Sequence, residues 1–354
     1  MTTACGDDED PDFHLGTNNR RAPGGTPSVT NDNSNGTNNA TNNGGQPVNQ
    51  LDPDEIVYLE SNNLGVLEVR SIAFAAQKNR FLFEPATIEG ATGDIASGDL
   101  TVSNDRRRIV FTPAGEGNRP LISVTVGGAD AVAILSADSA PGVIHTPRTA
   151  ADGDILFVAG PSNGAVFQSA RLYRVRPNAN ATPQEIPLDY GTCDVVRDVA
   201  VHPSTAALVF LIRDACADFT DAGLFQLDTR NGATGRIFTA PANDPTSILY
   251  APFVANYGHR LYVLGNGSFD VDNDFAADAQ GVGVFEISPT TGEYVGLFTP
   301  DNADATIRAF TGTSDGQSLV LELDHGGSRD LFLTASTGLA RLTNVGTARS
   351  PTLR

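Results

Sequence analysis

From residue 51 onward the chain alternates short apolar runs with polar turns rich in Gly, Asp, Asn and Pro. No stretch sustains a helical period, so the pattern is that of an all-β protein. The runs recur. One marker is a compact β-rich run: Ile56-Val57-Tyr58-Leu59, Ile109-Val110-Phe111, Ile155-Leu156-Phe157-Val158, Leu208-Val209-Phe210-Leu211, Leu261-Tyr262-Val263-Leu264 and Leu319-Val320-Leu321. Successive starts lie 53, 46, 53, 53 and 58 residues apart. A second marker, apolar–apolar–any–apolar, follows each: Val66-Leu67-Glu68-Val69, Leu121-Ile122-Ser123-Val124, Leu172-Tyr173-Arg174-Val175, Leu224-Phe225-Gln226-Leu227, Val284-Phe285-Glu286-Ile287 and, less regularly, Leu331-Phe332-Leu333-Thr334.

Two independent markers thus define six units with a period near 50 residues. Such a period means stacked supersecondary units that bury their faces on their neighbours. Each unit reads as four strands. Asp152-Gly153, Tyr257-Gly258 and Asp315-Gly316 mark turns before the second strand, and Asn231-Gly232, Thr291-Gly292 and Thr337-Gly338 mark turns between the third and fourth. Glycine supplies the positive φ that tight hairpins need. Four-stranded units at this spacing are propeller blades, so residues 51–354 are expected to form a β-propeller of six, or at most seven, blades. The first unit departs from the pattern. Nothing strand-like precedes Ile56, and residues 70–96 carry extra β-rich sequence including Phe81-Leu82-Phe83. The segment near 345–354 is expected to supply the missing strand and close the ring; the alternative is that 66–96 forms a small appended element.

Residues 1–50 have a different texture. They are dominated by Asn, Gly, Thr, Pro and Ser, with too few apolar side chains to offset chain entropy, and are expected to form a disordered tether. Ahead of the tether stands Thr3-Ala4-Cys5-Gly6 and an acidic cluster. Small residues before a single Cys resemble the tail of a bacterial lipobox, which implies lipidation at Cys5, a start codon upstream and an extracytoplasmic protein at the outer membrane or cell surface.

Net charge is −19, and only Lys78 accompanies the arginines. Nucleic-acid binding needs a basic face to neutralise phosphates, and none is visible. An anionic bilayer would repel the chain, so membrane contact is expected only through the lipid anchor. Apart from Cys5 there are two cysteines, Cys193 and Cys216, 23 positions apart on either side of an expected hairpin. They are read as a disulfide, with two unpaired thiols as the alternative.

Ser314-Asp315-Gly316-Gln317-Ser318-Leu319-Val320-Leu321, then Asp330-Leu331-Phe332-Leu333, then Leu339-Ala340-Arg341-Leu342-Thr343-Asn344, resembles a TolB-type propeller repeat. Residues 103–126 and 200–227 fit it more loosely, and Val199-Ala200-Val201-His202-Pro203 resembles the inner-strand ending of many TolB-like and WD-type repeats. The resemblance implies an envelope propeller lipoprotein and specifies fold far better than function. A genuine TolB carries an α/β domain before its propeller where this chain has the tether, which argues against a TolB-like role in envelope maintenance.

Candidate chemistry is sparse. The five histidines, His14, His145, His202, His259 and His325, show no metal-ligand spacing, although His202, His259 and His325 near strand ends could converge. Gly160-Pro161-Ser162-Asn163-Gly164 matches a nucleophile elbow but lacks the required strand-to-helix context. Asp270, Asp272 and Asp274, with Asp278 beyond, form a loop that could direct several oxygens at one Ca²⁺. Phe275 replaces the expected Gly and no closing Glu follows, so a solvated acidic loop is the plainer reading. No catalytic residue is assigned. The expected function is a monomeric scaffold or binding module for a protein or other ligand of the cell envelope, and not an enzyme. The alternative is a Ca²⁺-dependent propeller lactonase or hydrolase using scattered candidates such as Asp105, Asp198 and Asn256.

Overall fold

A computed structural model describes residues 13–15, 50–74, 78–91, 93–161, 170–188, 195–214, 223–239, 248–254, 260–266, 282–291, 294–300, 305–313, 316–335 and 338–352. Its strands run in chain order as β1 (Phe13–Leu15), β2 (Glu55–Ser61), β3 (Leu67–Ala73) and β4 (Lys78–Phe83), then β5 (Ile95–Val102), β6 (Arg108–Pro113), β7 (Leu121–Thr125) and β8 (Val132–Leu135). Next come β9 (Val143–Thr149), β10 (Ile155–Gly160), β11 (Arg171–Val175), β12 (Gln184–Glu185), β13 (Val195–Val201), β14 (Leu208–Asp214), β15 (Gly223–Asp228) and β16 (Thr234–Thr239). The chain ends with β17 (Ile248–Val254), β18 (Leu261–Asn266), β19 (Val282–Ile287), β20 (Tyr294–Pro300), β21 (Ala305–Gly312), β22 (Leu319–His325), β23 (Ser328–Ala335), β24 (Gly338–Arg341) and β25 (Arg349–Thr352).

These strands make six antiparallel sheets, five of four strands and one of five. Sheets two to six are the consecutive sets β5–β8, β9–β12, β13–β16, β17–β20 and β21–β24. The first sheet has the order β25-β2-β3-β4, so the last strand of the chain is the innermost strand of the first sheet. Ring closure by the carboxyl-terminal segment, expected from the missing strand before Ile56, is borne out. Residues 66–96 are not an appended element, because β3 and β4 complete that same sheet. Within the expected tether, Phe13–Leu15 pairs antiparallel with β20 as the extra strand of the fifth sheet, and the rest of residues 1–49 lies outside the described residues.

Every first marker falls on a second strand and every second marker on a third. The reason is burial on both faces. A strand with a sheet above and below it reads as a continuous apolar run rather than an alternation. All six residues of β10 are buried, as are the first six of β2. Alternate side chains serve opposite neighbours. Val57 and Leu59 pack with Leu100, Ile109 and Phe111 of the second sheet, whereas Ile56 and Tyr58 pack with Val320 and Leu331 of the sixth. Four further clusters fill the second–third, third–fourth, fourth–fifth and fifth–sixth gaps. The core is therefore a circle of interlayer clusters, which makes the molecule an all-β propeller.

The turns follow the same logic. Gly153, Gly232 and Gly338 all have positive φ, as the hairpin reading requires. Gly232 has a second reason to lack a side chain: a Cβ there would meet the Pro187 carbonyl oxygen at 2.5 Å.

A buried carboxylate, Asp330, organises the turn that leads to the closing strand. Asp330 Oδ1 accepts from Thr343 Oγ1 at 2.8 Å and from the backbone amides of Val345 at 2.9 Å and Gly346 at 3.2 Å. Arg341 donates to its Oδ2 at 2.7 Å. This cage turns the chain out of the sixth sheet and delivers β25 to the first.

Candidate functional site: the channel mouth

Six strands line the ring interior: β25, β5, β9, β13, β17 and β21, each beside the next in that cyclic order. All six run in the same direction, because each follows the crossover from an outer strand. Their starting ends, the β2–β3, β6–β7 and β22–β23 hairpins and the crossovers share one face, called here the mouth. The opposite face carries the turns from inner to second and from third to fourth strands, several stitched sheet to sheet. There Asn104 donates to the Ala150 and Ala151 carbonyls, and the Arg106 guanidinium reaches the Glu55 carbonyl at 2.8 Å.

The inner strands are irregular where the rest of each sheet is regular. All six ladders between an inner strand and its second strand contain a register shift. None of the six ladders between second and third strands contains one. Bulges re-aim side chains and are common beside functional sites. Pro147, Pro252 and Pro351 sit inside inner strands. Proline is tolerated there because the inner strand is a sheet edge whose free side faces the channel.

Three bulges hold left-handed backbone: Gly98 at φ 81, Thr146 at φ 48 and Ser350 at φ 55. For Thr, whose branched Cβ crowds the carbonyl, this costs on the order of 1–3 kcal/mol. Both non-glycine residues are clamped through their amides by a buried carboxylate of a neighbouring sheet. Thr146 N–H donates to Asp99 Oδ1 at 2.9 Å, and Ser350 N–H donates to Glu322 Oε2 at 2.8 Å. Asp99 is 1 % exposed and Glu322 fully buried. Burial pushes the Glu322 carboxyl above its ordinary range, opposed by the Ser350 amide and by Arg329, Arg349 and Arg308.

Around Asp99 the second and third sheets build a polar nook. Arg119 Nη1 lies 3.2 Å and His145 Nδ1 3.5 Å from Asp99 Oδ2. Thr112 stands across from the β5 bulge, between the Ile95–Pro113 and Leu100–Phe111 pairs, and is fully buried. The hydroxyls of Thr112 and Thr146 have no hydrogen-bond partner among the described residues. Charged contacts continue around the mouth. Arg148 donates to the Gly98 carbonyl at 3.1 Å and lies 3.4 Å from Asp198, and Arg349 meets Asp94 at 2.8 Å. Chemically, the mouth can hydrogen-bond and orient a ligand. The Ser204 hydroxyl and His202 Nδ1, 3.2 Å apart, form the hydroxyl–imidazole contact of an exposed turn on the opposite face.

Of the expected site residues, Cys5, Cys193, Cys216, Asp270, Asp272, Asp274 and Asp278 lie outside the described residues, as do His259, Asn256 and Ser162 to Gly164. The other histidines do not converge. His202 is in the β13–β14 turn on the face opposite the mouth, its titration lowered by burial, whereas His325 ends β22 at the mouth. Asp198 is on an inner strand, but Asp105 caps the β5–β6 turn on the opposite face. Among the described residues no three His, Cys, Asp or Glu side chains form a metal-binding group, and no helix is long and apolar enough to cross a membrane. Asp99, Thr146, Glu322 and Ser350 escaped sequence reasoning. Their only signal is Gly or Pro inside a short strand, at Gly98, Pro147 and Pro351, which is the mark of a bulge.

Fold and mouth together define a β-propeller with an irregular, polar inner ring. No family model matches the sequence, and no curated protein matches it. Solved structures do match in shape. The chain is similar to TolB from Acinetobacter baumannii (TM-score 0.59, 14% identity, covering 86% of this chain and 67% of that one). It is also similar to a putative TolB from Agrobacterium tumefaciens (0.54, 9%, 84% and 91%). A third match is an oligogalacturonate lyase in complex with manganese (0.51, 13%, 84% and 73%). The chain therefore has the TolB-like propeller fold expected from its last repeat.

Proposed function

We propose that the chain is a six-bladed binding propeller of the bacterial cell envelope, held at the outer membrane or cell surface by a lipidated Cys5 and the tether of residues 1–50. It acts as a scaffold that captures a protein or other ligand at the mouth. The observation carrying this reading is the mouth itself. Left-handed Thr146 and Ser350 lie in bulges of the inner strands, clamped by buried Asp99 and Glu322, in a ring whose starting ends open at the face that carries the crossovers. Strain and buried polar groups that persist at one face of a stable scaffold are the mark of a binding surface. Similarity in shape to TolB proteins supports the envelope setting.

The test is capture from native envelopes by the full chain and two variants. Arg349→Glu reverses a mouth charge whose side chain is partly exposed, and Arg230→Glu reverses an exposed charge on the opposite face. The expected result is a discrete partner retained by Arg230→Glu and lost by Arg349→Glu. Equal retention by both variants would reject the mouth as the binding face. Anchoring is tested separately by incorporation of labelled fatty acid, expected in the native chain and absent in Cys5→Ser.

An enzymatic reading draws support from the manganese-containing lyase among the similar folds. In that case the Asp270, Asp272, Asp274 and Asp278 loop would hold Ca²⁺ as a structural ion, or an axial ion would serve a lactonase or hydrolase. Ca²⁺-dependent melting separates the two: a rise abolished by Asp272→Ala locates the ion in the loop, and a rise that survives it points to the axis.

A further inference from the structure

We propose that the outer edge of the fifth blade is a docking site for the chain's own amino-terminal segment, so that residues 13–15 strap the tether to the rim of the propeller. β1 runs antiparallel to β20, with Phe13 opposite Pro300, His14 opposite Thr299 and Leu15 opposite Phe298. Among the described residues no other sheet gains a fifth strand. What lies across the fifth sheet explains the choice of edge. Leu264, Val284 and Phe298 are direct partners in turn across β18, β19 and β20, and all three belong to the cluster that fills the fifth–sixth gap. Leu15 is the next position in that row. β1 also lies beside β24, whose Leu339 packs on the same cluster. The strap therefore sits over the outer end of one interlayer core.

The sequence points to the same three residues independently. Between Gly6 and Pro47 the only Val, Leu, Ile, Met, Phe or Tyr residues are Phe13, Leu15 and Val29. Phe13 and Leu15 alternate across His14, which is the period of a strand. Pro11-Asp12 before them and Gly16-Thr17-Asn18 after them are turn residues that bound it. An uncovered outer strand is a template for pairing with another chain. Strand addition uses main-chain hydrogen bonds for affinity and alternate positions for specificity, and an apolar–any–apolar segment tethered to the same propeller meets both needs. In the anchored chain proposed above, which the strap itself does not require, only residues 6–12 would separate Cys5 from the strap. That span is about 28 Å at full extension, so the rim of the fifth and sixth blades would face the bilayer.

The experiment places a photo-crosslinking residue in the full chain by His14→p-benzoylphenylalanine, illuminated at high dilution and mapped by mass spectrometry. The expected adduct joins position 14 to peptides carrying β20 or β24 of the same chain. Adducts scattered over other blades, or none on β20 and β24, overturn the proposal. An adduct joining two chains at β20 overturns the intrachain assignment and makes the edge a contact between copies. The intrachain adduct is expected in Cys5→Ser as well, which keeps a failure of the strap distinct from a failure of the anchor. Hydrogen exchange supplies a second check. In a chain carrying Phe13→Gly and Leu15→Gly, the β20 amides that face β1 should exchange about tenfold faster, with β17 and β18 unchanged. Unchanged exchange in β20 overturns the strap.

Discussion

Two ladders of the same sheets behave in opposite ways. Between second and third strands every described pairing is regular. Between inner and second strands each one breaks register. The middle ladder is enclosed on both faces by neighbouring sheets and keeps its register even where it carries buried polar side chains such as Glu322 of β22. The inner strand has one edge open to the channel, so it can carry proline and left-handed residues without breaking the ring. The scaffold is therefore stabilised by its middle strands and individualised by its inner ones.

The largest expected effect belongs to the middle ladder. Phe157 on β10 is fully buried and stacks on Tyr173 with ring centroids 5.6 Å apart. Phe157→Ala should destabilise the domain by about 3–5 kcal/mol in urea unfolding, the usual cost of deleting a core aromatic. A loss below about 1 kcal/mol would mean that the second–third interlayer core is not a closed cluster.

Next comes the inner ring. Asp99→Ala removes the acceptor for the Thr146 amide and the charge facing Arg119. The expected loss is about 2–3 kcal/mol, chiefly from a buried donor left unsatisfied. Hydrogen exchange should show the loss concentrated in β9, whereas Phe157→Ala should loosen the middle strands. If the two variants open the same amides, the division between ladders fails.

The middle ladder was legible in sequence because burial on both faces writes one signal, the apolar run, at a fixed period. Ile155-Leu156-Phe157-Val158 could hardly be anything else. The inner strands were not legible as strands for the reason that makes them interesting. Residues such as His145-Thr146-Pro147-Arg148 mix polar side chains, a proline and a left-handed turn, and no periodicity survives a bulge. Asp99 and Glu322 gave no warning because a carboxylate in a strand usually faces solvent. Their burial is a consequence of the neighbouring sheet supplying an amide, at Thr146 and at Ser350. Closure was legible by elimination, from a first unit lacking a strand and spare residues at the other end.

Acid–base behaviour sharpens the comparison. Burial raises the Glu322 carboxyl, so the folded chain holds that proton more tightly than the unfolded chain does. Its contribution to stability is fully present below the ordinary carboxylate range and is lost as pH rises through the raised folded value. Glu322→Gln retains an acceptor for the Ser350 amide and removes the titration. The variant should be less sensitive to pH than the native chain from pH 4 to pH 7, read as melting temperature against pH. Unchanged pH dependence would remove Glu322 from the account.

The smallest effect has the opposite sign. Thr146→Gly relieves a left-handed β-branched residue and should stabilise by about 0.5 kcal/mol after the added flexibility of the unfolded chain is subtracted. Ser123→Gly, in the regular ladder of β7, should destabilise by about 1 kcal/mol. Equal signs at the two positions would show that the bulge is not strained.

The proposed binding face is the mouth, not the opposite face. A photo-crosslinking residue at Leu64, which is 87% exposed on the β2–β3 hairpin at the mouth, can be compared with one at Arg230 on the opposite face. Illumination in intact envelopes is expected to give a discrete adduct from position 64 and none from position 230. An adduct confined to position 230 would contradict the account.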